Sequence, residues 1–168
     1  MTPQPRSEMV GASSRKVTLT GSAQTTTFTI QEPSGPAKAR GKAALAPLLG
    51  KTYLHIENVV SKQSHATYEV YVNLPEKPDA AAYQEHYAGA MHLFGVRHAS
   101  RRSEQHAGSG LNFSLDITEL ARALRAKNAW DDKKIRVTFA PRGAAGEPGR
   151  AIPEHDPIKI GRVSIYRA

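Results

Sequence analysis

Residues 66–73 read Ala-Thr-Tyr-Glu-Val-Tyr-Val-Asn and run into Leu74 and Pro75. Tyr68, Val70 and Val72 fall on one side of an extended chain, and Thr67, Glu69, Tyr71 and Asn73 on the other. This is the alternation of a half-buried β-strand, which needs neighbours to cover its apolar side. The remaining sequence supplies them as short strands rather than helices. Val17 and Leu19 alternate with Lys16, Thr18 and Thr20, a turn follows at Gly21 and Ser22, and residues 25–31 carry Phe28 and Ile30, which predicts a hairpin. Leu54 and Ile56 predict a strand just before residues 66–73, residues 87–94 another containing Gly89, and Leu111, Phe113 and Leu115 a further one.

One helix is signalled. Asp116 stands at the N-cap position with Glu119 three residues on, and Ile117, Leu120, Ala121 and Leu124 form an apolar stripe at helical spacing. Arg122, Arg125 and Lys127 follow in its last turns, where cations suit the helix dipole. The last strands are residues 134–140, with Ile135, Val137 and Phe139 inward, and residues 158–166. In the latter Ile158 and Ile160 share one parity and Val163 and Ile165 the other, so Gly161 is expected to mark a bulge. The fold class is mainly all-β: an antiparallel β-sandwich, jelly-roll-like, with one short helix in a connection. Residues 32–50, rich in Pro, Gly, Ala and Lys, read as a connection and divide the chain into a lead-in hairpin and linker over 1–50 and a sandwich over 51–168.

Composition narrows the function classes. At 168 residues, one core is the expectation. There is no cysteine, which removes disulfides and thiol catalysis. No apolar run reaches the roughly 18 residues that cross a bilayer, and residues 1–14 lack the apolar core of a secretory signal, so a soluble chain is expected, its compartment open. The net charge of +8 suits nucleic acid, an anionic surface or an acidic protein partner. Arg97, Arg101 and Arg102, with His98, concentrate that charge in the polar loop 97–110.

No self-contained active site emerges. The seven histidines are His55, His65, His86, His92, His98, His106 and His155. Only His86, His92 and His98 are evenly spaced, and a six-residue interval does not place them on one helical face, so no metal site is expected. There is no Gly-x-Ser-x-Gly elbow and no phosphate-binding loop, and Asp131 and Asp132 read as a solvated turn. Nucleic-acid binding is disfavoured, because the tyrosine-bearing strands carry few cations and the basic loop has only Phe94 beside it.

The strand Thr67-Tyr-Glu-Val-Tyr-Val-Asn73 resembles the Lys-(Phe/Tyr)-Asp-Val-(Phe/Tyr)-Val-Asn strand that marks the C-terminal domain of tyrosinases and polyphenol oxidases. The order of further segments is similar to that family: Ser7 to Ala12 leading to Lys16-Val-Thr-Leu19, His86-Tyr-Ala-Gly89, Ser114 to Leu120, Ile135 to Phe139 with Pro141-Arg142, and Ile158 to Ile165. The departures are Glu69 in place of the usual Asp and the basic loop at 97–102. The resemblance implies a non-catalytic cap of a type-3 copper oxidase. Its dicopper centre is expected in a partner catalytic domain or subunit outside this chain, with no cofactor in the chain itself. It further implies an apolar side chain inserted above the coppers as a placeholder, for which Phe94, Leu93 and Met91 are the candidates beside Gly95. Arg97, Arg101 and Arg102 are the candidates for docking the partner. The alternatives are an independent module for acidic polymer or nucleic acid, and a histidine-based copper carrier.

Overall fold

A computed structural model describes residues 7–31, 50–62, 66–105, 107–142 and 157–168. Among the described residues nine strands form two antiparallel sheets: β1 (Glu8–Ala12), β2 (Val17–Leu19), β3 (Gln24–Phe28), β4 (Thr52–Val60), β5 (Thr67–Val72), β6 (Tyr87–His92), β7 (Leu111–Asp116), β8 (Ile135–Pro141) and β9 (Ile158–Arg167). In the first sheet β1 and β2 lie end to end along one edge of β9, followed by β4 and β7; the second runs β3, β8, β5, β6. With β1 and β2 counted as one interrupted strand, the two orders are first-eighth-third-sixth and second-seventh-fourth-fifth. That is the jelly-roll arrangement, in which successive strands are shared between two facing sheets. The hairpin expected from residues 15–31 does not form, because β2 pairs with β9 while β3 pairs with β8 in the other sheet.

The core lies between the sheets. Leu19, Leu54, Ile56, Tyr68, Val70, Val72, Val137, Phe139, Val163 and Ile165 are buried in it, the inward parity of their strands. Tyr68 is wholly buried, and its hydroxyl crosses to the other sheet to donate to the Thr20 carbonyl at 2.5 Å. Burial pushes its phenol up to about 12.

β5 differs from the half-buried strand expected. Its second face is covered as well, so that Glu69 and Tyr71 are buried beside Leu74, Ala140, Ala82 and Tyr83. The cover is α1 (Ala80–Glu85), a helix with no buried residue and hence no apolar period to reveal it in the sequence. Asp79 starts it by accepting from the Ala82 N–H at 2.7 Å. Two more helices are α2 (Val96–Ala99), inside the span expected to be loop, and α3 (Thr118–Ala126). α3 packs Ala121 and Leu124 inward as its stripe requires. Its start departs from a capping box: Asp116 accepts from both the N–H and the hydroxyl of Thr118, and Glu119 turns to Arg122. Those bonds hold the Asp116 carboxyl below its ordinary value.

The parity switch at Gly161 is present, and β4 matches it. Asn58 stands opposite Gly161 with φ of 57°, and inward positions pass from Ile56 to Val59 in β4 as they pass from Val163 to Ile160 in β9. The two strands switch together and stay in register, and the slip appears between β4 and β7 instead. Asn112 of β7 receives the displaced Asn58 N–H at 2.8 Å. A Cβ at position 161 would lie 2.8 Å from that of Asn58, so glycine is needed for the approach.

The outer face of the first sheet carries a charge clamp that makes stability pH-dependent. Arg162 meets both Glu57 carboxylate oxygens, at 2.7 and 2.9 Å, and Ser164 adds a third bond at 3.1 Å. The Arg162 bond is the main cause of a lowered Glu57 pKa, with burial opposing it. A carboxylate with a depressed folded pKa stabilises the protein above its unfolded pKa, and loses that contribution as pH falls through the folded value. Glu57→Gln is therefore expected to lower the thermal midpoint near neutrality, by a loss of about 1 kcal/mol or less. The difference from the parent protein should vanish on acidification, as read by melting curves across the acidic range.

Candidate functional site

The segment after β6 forms a tip held from below. Leu93 is 1% and Val96 0% exposed, while Phe94 between them is 90% exposed. Gly95 turns the chain with φ of 81°, and the Val96 N–H closes the turn on the Leu93 carbonyl at 3.1 Å. Ser100 donates to the Val96 carbonyl at 2.6 Å and accepts from the Ser61 N–H at 2.9 Å; the Gly110 N–H returns to Ala99 at 3.0 Å. Two core side chains and four bonds thus fix the base from which Phe94 projects.

Of the three placeholder candidates, Phe94 alone stands at the surface. Met91 and Leu93 belong to the core cluster, which commits their side chains to this domain. Arg97, Arg101 and Arg102 are exposed on the same excursion, as is His98, and none of the three arginines forms an ion pair with a described residue. Glu104 is the nearest exposed carboxylate along the segment. Phe94 is thus an exposed apolar side chain followed along the chain by exposed basic ones.

The described histidines do not converge. His55 stacks on Tyr166 with ring centroids 4.4 Å apart, buried His86 bonds through Nδ1 to the Val72 carbonyl at 2.9 Å, and His92 approaches Thr67 at 3.3 Å. His65, His106 and His155 lie outside the described residues, as does most of the 32–50 connection. Among the described residues no three His, Cys, Asp or Glu side chains come close enough to hold a metal ion, so they do not fit a copper centre of their own.

The second charged constellation is structural. Glu69, 8% exposed at its side chain, accepts from Tyr71 at 2.7 Å and from Arg142 at 2.6 and 3.2 Å. Burial chiefly raises the Tyr71 phenol, and its bond to Glu69 adds to the effect; Glu69 raises the Arg142 guanidinium. Tyr83 and Tyr87 pack edge-on around Tyr71 at 5.4 and 5.8 Å. Asn73, at φ of 53°, donates to the Ala129 carbonyl and accepts from the Arg136 N–H, tying the end of β5 to the turn after α3 and to β8. Asp132 departs from the solvated turn expected of it, since Trp130 donates to it at 2.8 Å and Arg167 reaches it at 3.4 Å.

Comparison with known families settles where the chain belongs: the model of a domain of unknown function, DUF7868, matches residues 6–168. The chain is a member of the DUF7868 family. Over 134 residues, 78% of the chain, it is 31% identical to a tyrosinase of Hahella sp. (strain CCB-MM4), of which it covers 27%. This DUF7868 domain is thus homologous to part of a tyrosinase, and the family resemblance read from the β5 strand holds. The chain spans about a quarter of the length of that relative. Among solved structures, latent apple tyrosinase superposes with a TM-score of 0.47 at 21% identity, covering 92% of this chain and 27% of the other. Latent aurone synthase, a polyphenol oxidase, gives 0.46 at 14% identity, covering 88% and 25%.

Sequence reasoning passed over the Glu69–Tyr71–Arg142 cluster, although Glu69 and Tyr71 lie two apart on one strand, a spacing that puts them side by side. Tyr71→Phe is expected to lower stability by about 1–2 kcal/mol, because the lost bond ends on a buried carboxylate. Urea titration should show a lower midpoint with an unchanged slope. An unchanged midpoint would mean that Glu69 has no need of the phenol.

Proposed function

We propose that this tyrosinase-associated domain is the non-catalytic cap of a type-3 copper oxidase, with Phe94 as the side chain that occupies the mouth of the dicopper site. Its homology to part of a tyrosinase supports the partner, and the 90% exposure of Phe94 on a pinned base is the observation that carries the role. A large apolar side chain held in water gains free energy when a concave site takes it up. The tether makes that uptake intramolecular, so a weak contact competes with dissolved phenols. Arg97, Arg101 and Arg102 orient the approach if the rim of the site is acidic, since such charges steer docking. The oxidation itself belongs to the partner's coppers; this chain excludes substrate and does not react.

The test uses a polypeptide joining this domain to its catalytic domain, kept unproteolysed. Phe94→Gly is expected to raise diphenol turnover at least tenfold toward that of the catalytic domain alone, while Phe94→Leu stays largely latent. Replacing Arg97, Arg101 and Arg102 by glutamate should weaken latency, and salt should then restore rather than reduce it. If removing the whole domain leaves turnover unchanged, the capping role is wrong. If removal activates but Phe94→Gly does not, another residue is the placeholder.

A further inference from the structure

A jelly roll leaves two open sides where its sheets end, and this one treats them differently. On the side between β6 and β7, the backbone at Gly89 approaches Leu115 so closely that a Cβ there would sit 3.0 Å from the leucine methyl. That side is filled. On the opposite side a bridge between Gly11 and Ile30, with the Gln31 N–H on the Val10 carbonyl, joins the sheets just past β3, while β2 pairs only with β9 and Gln24–Phe28 of β3 only with β8, so these two stretches keep unpaired edges. Between them runs a cleft of about 480 Å³, whose lining includes Arg15, Lys16, Thr18, Gln24 and Thr26. A second cleft of about 560 Å³ lies on the outer side of β3, between Thr25 and Thr27 and a wall of Pro75, Pro78 and Tyr83.

Free strand edges are templates for pairing, and proteins protect them with charge, proline, bulges or cover. β3 has none of these among the described residues: it reads Gln-Thr-Thr-Thr-Phe without a bulge, in register with β8 from Gln24 to Phe28. The charges stand beside the edge instead of on it. Arg15, Lys16, Lys134 and Arg136 line the two clefts, with Glu76 as the one lining carboxylate among the described residues. Arg136 is already engaged, donating to the Leu74 carbonyl and facing Glu76 at 3.9 Å. Arg15, Lys16 and Lys134 form no ion pair with a described residue. The hydroxyls of Thr26 and Thr27 add hydrogen-bonding capacity along the same line.

We propose that the free edge of β3 takes up an extended, acidic segment of another polypeptide as an added strand. The backbone of β3 would supply affinity through main-chain hydrogen bonds, as in strand addition generally, and the flanking cations would select a segment with carboxylates on both sides. Five residues of β3 offer about 17 Å of edge, enough for one short strand. This assignment does not depend on the role of Phe94, which projects from the β6–α2 turn.

The test is binding of labelled synthetic decapeptides to the full chain, followed by fluorescence anisotropy and by amide hydrogen exchange. A peptide alternating glutamate and valine is expected to bind saturably and to slow exchange within residues 24–28. Its lysine counterpart, and a glutamate peptide of equal charge interrupted by two prolines, are each expected to bind at least tenfold more weakly. Arg15→Glu combined with Lys16→Glu should cost a similar factor while leaving the urea midpoint unchanged, since both side chains are exposed. Equal binding of the proline-interrupted peptide would reduce the effect to charge alone and overturn the proposal. So would absence of saturable binding, protection elsewhere than β3, or occupation of the cleft by a heparin fragment in preference to the peptide.

Discussion

Burial of β5 on both faces is the constraint on which the other elements depend. A strand in that position cannot end its polar groups in water, so each must be answered inside the protein. Tyr68 answers by crossing the core to the Thr20 carbonyl, which fixes the separation of the sheets at the end of β2. Glu69 is answered by Tyr71 and Arg142, which brings the end of β8 alongside and places α1 over the outer face. Asn73 leaves the strand in the left-handed region, where asparagine is tolerated, and uses its amide to hold the turn after α3 and β8. Substituting one of these residues therefore disturbs more than one element.

The pairing of β4 with β9 solves a different problem. These are the two longest of the described strands, and each changes the parity it turns inward part-way along its length. The switch at Asn58 and Gly161 occurs in both strands at once, so their ladder survives and the discontinuity passes to β7, where Asn112 satisfies the displaced amide. The switch lies near the end of β4 from which Ser61 reaches Ser100. The tip carrying Phe94 is thus attached to the most extensively paired strands of the molecule.

What the sequence discloses follows from which residues are patterned. Strands with one apolar parity are legible, and β4, β5, β7, β8 and β9 lie where their alternation puts them; the change of parity in β9 locates the switch at Gly161, but the register slip it suggests falls between β4 and β7. β1 is not legible, because Val10 is its only buried residue and one buried side chain makes no period. α1 is silent for the same reason, and α2 has a single buried residue, Val96. Pairing partners are a further loss. β2 and β3 are adjacent along the chain and joined by a turn, yet a jelly roll sends them to different sheets, a choice made by β8 and β9 more than a hundred residues away. Phe94 shows the limit at the site: its type and place beside Gly95 make it a candidate, but Met91 and Leu93 share those features, and only burial separates them.

For the proposed cap, energetics decide how much Phe94 can do alone. Full burial of a phenylalanine side chain is worth about 1.5–3 kcal/mol, which corresponds to a dissociation constant on the order of 10 mM at the stronger end. A short tether supplies an effective concentration of about millimolar. A phenyl group by itself would then occupy its site only a small fraction of the time. A cap that holds an enzyme latent needs roughly another 2 kcal/mol or more, and that must come from the surface around Phe94. In the proposed cap Arg97, Arg101 and Arg102 would contribute it, through contacts that are individually small and sensitive to salt. Such a latch is strong as a sum and weak in its parts, so losing a few contacts releases the site without unfolding the domain.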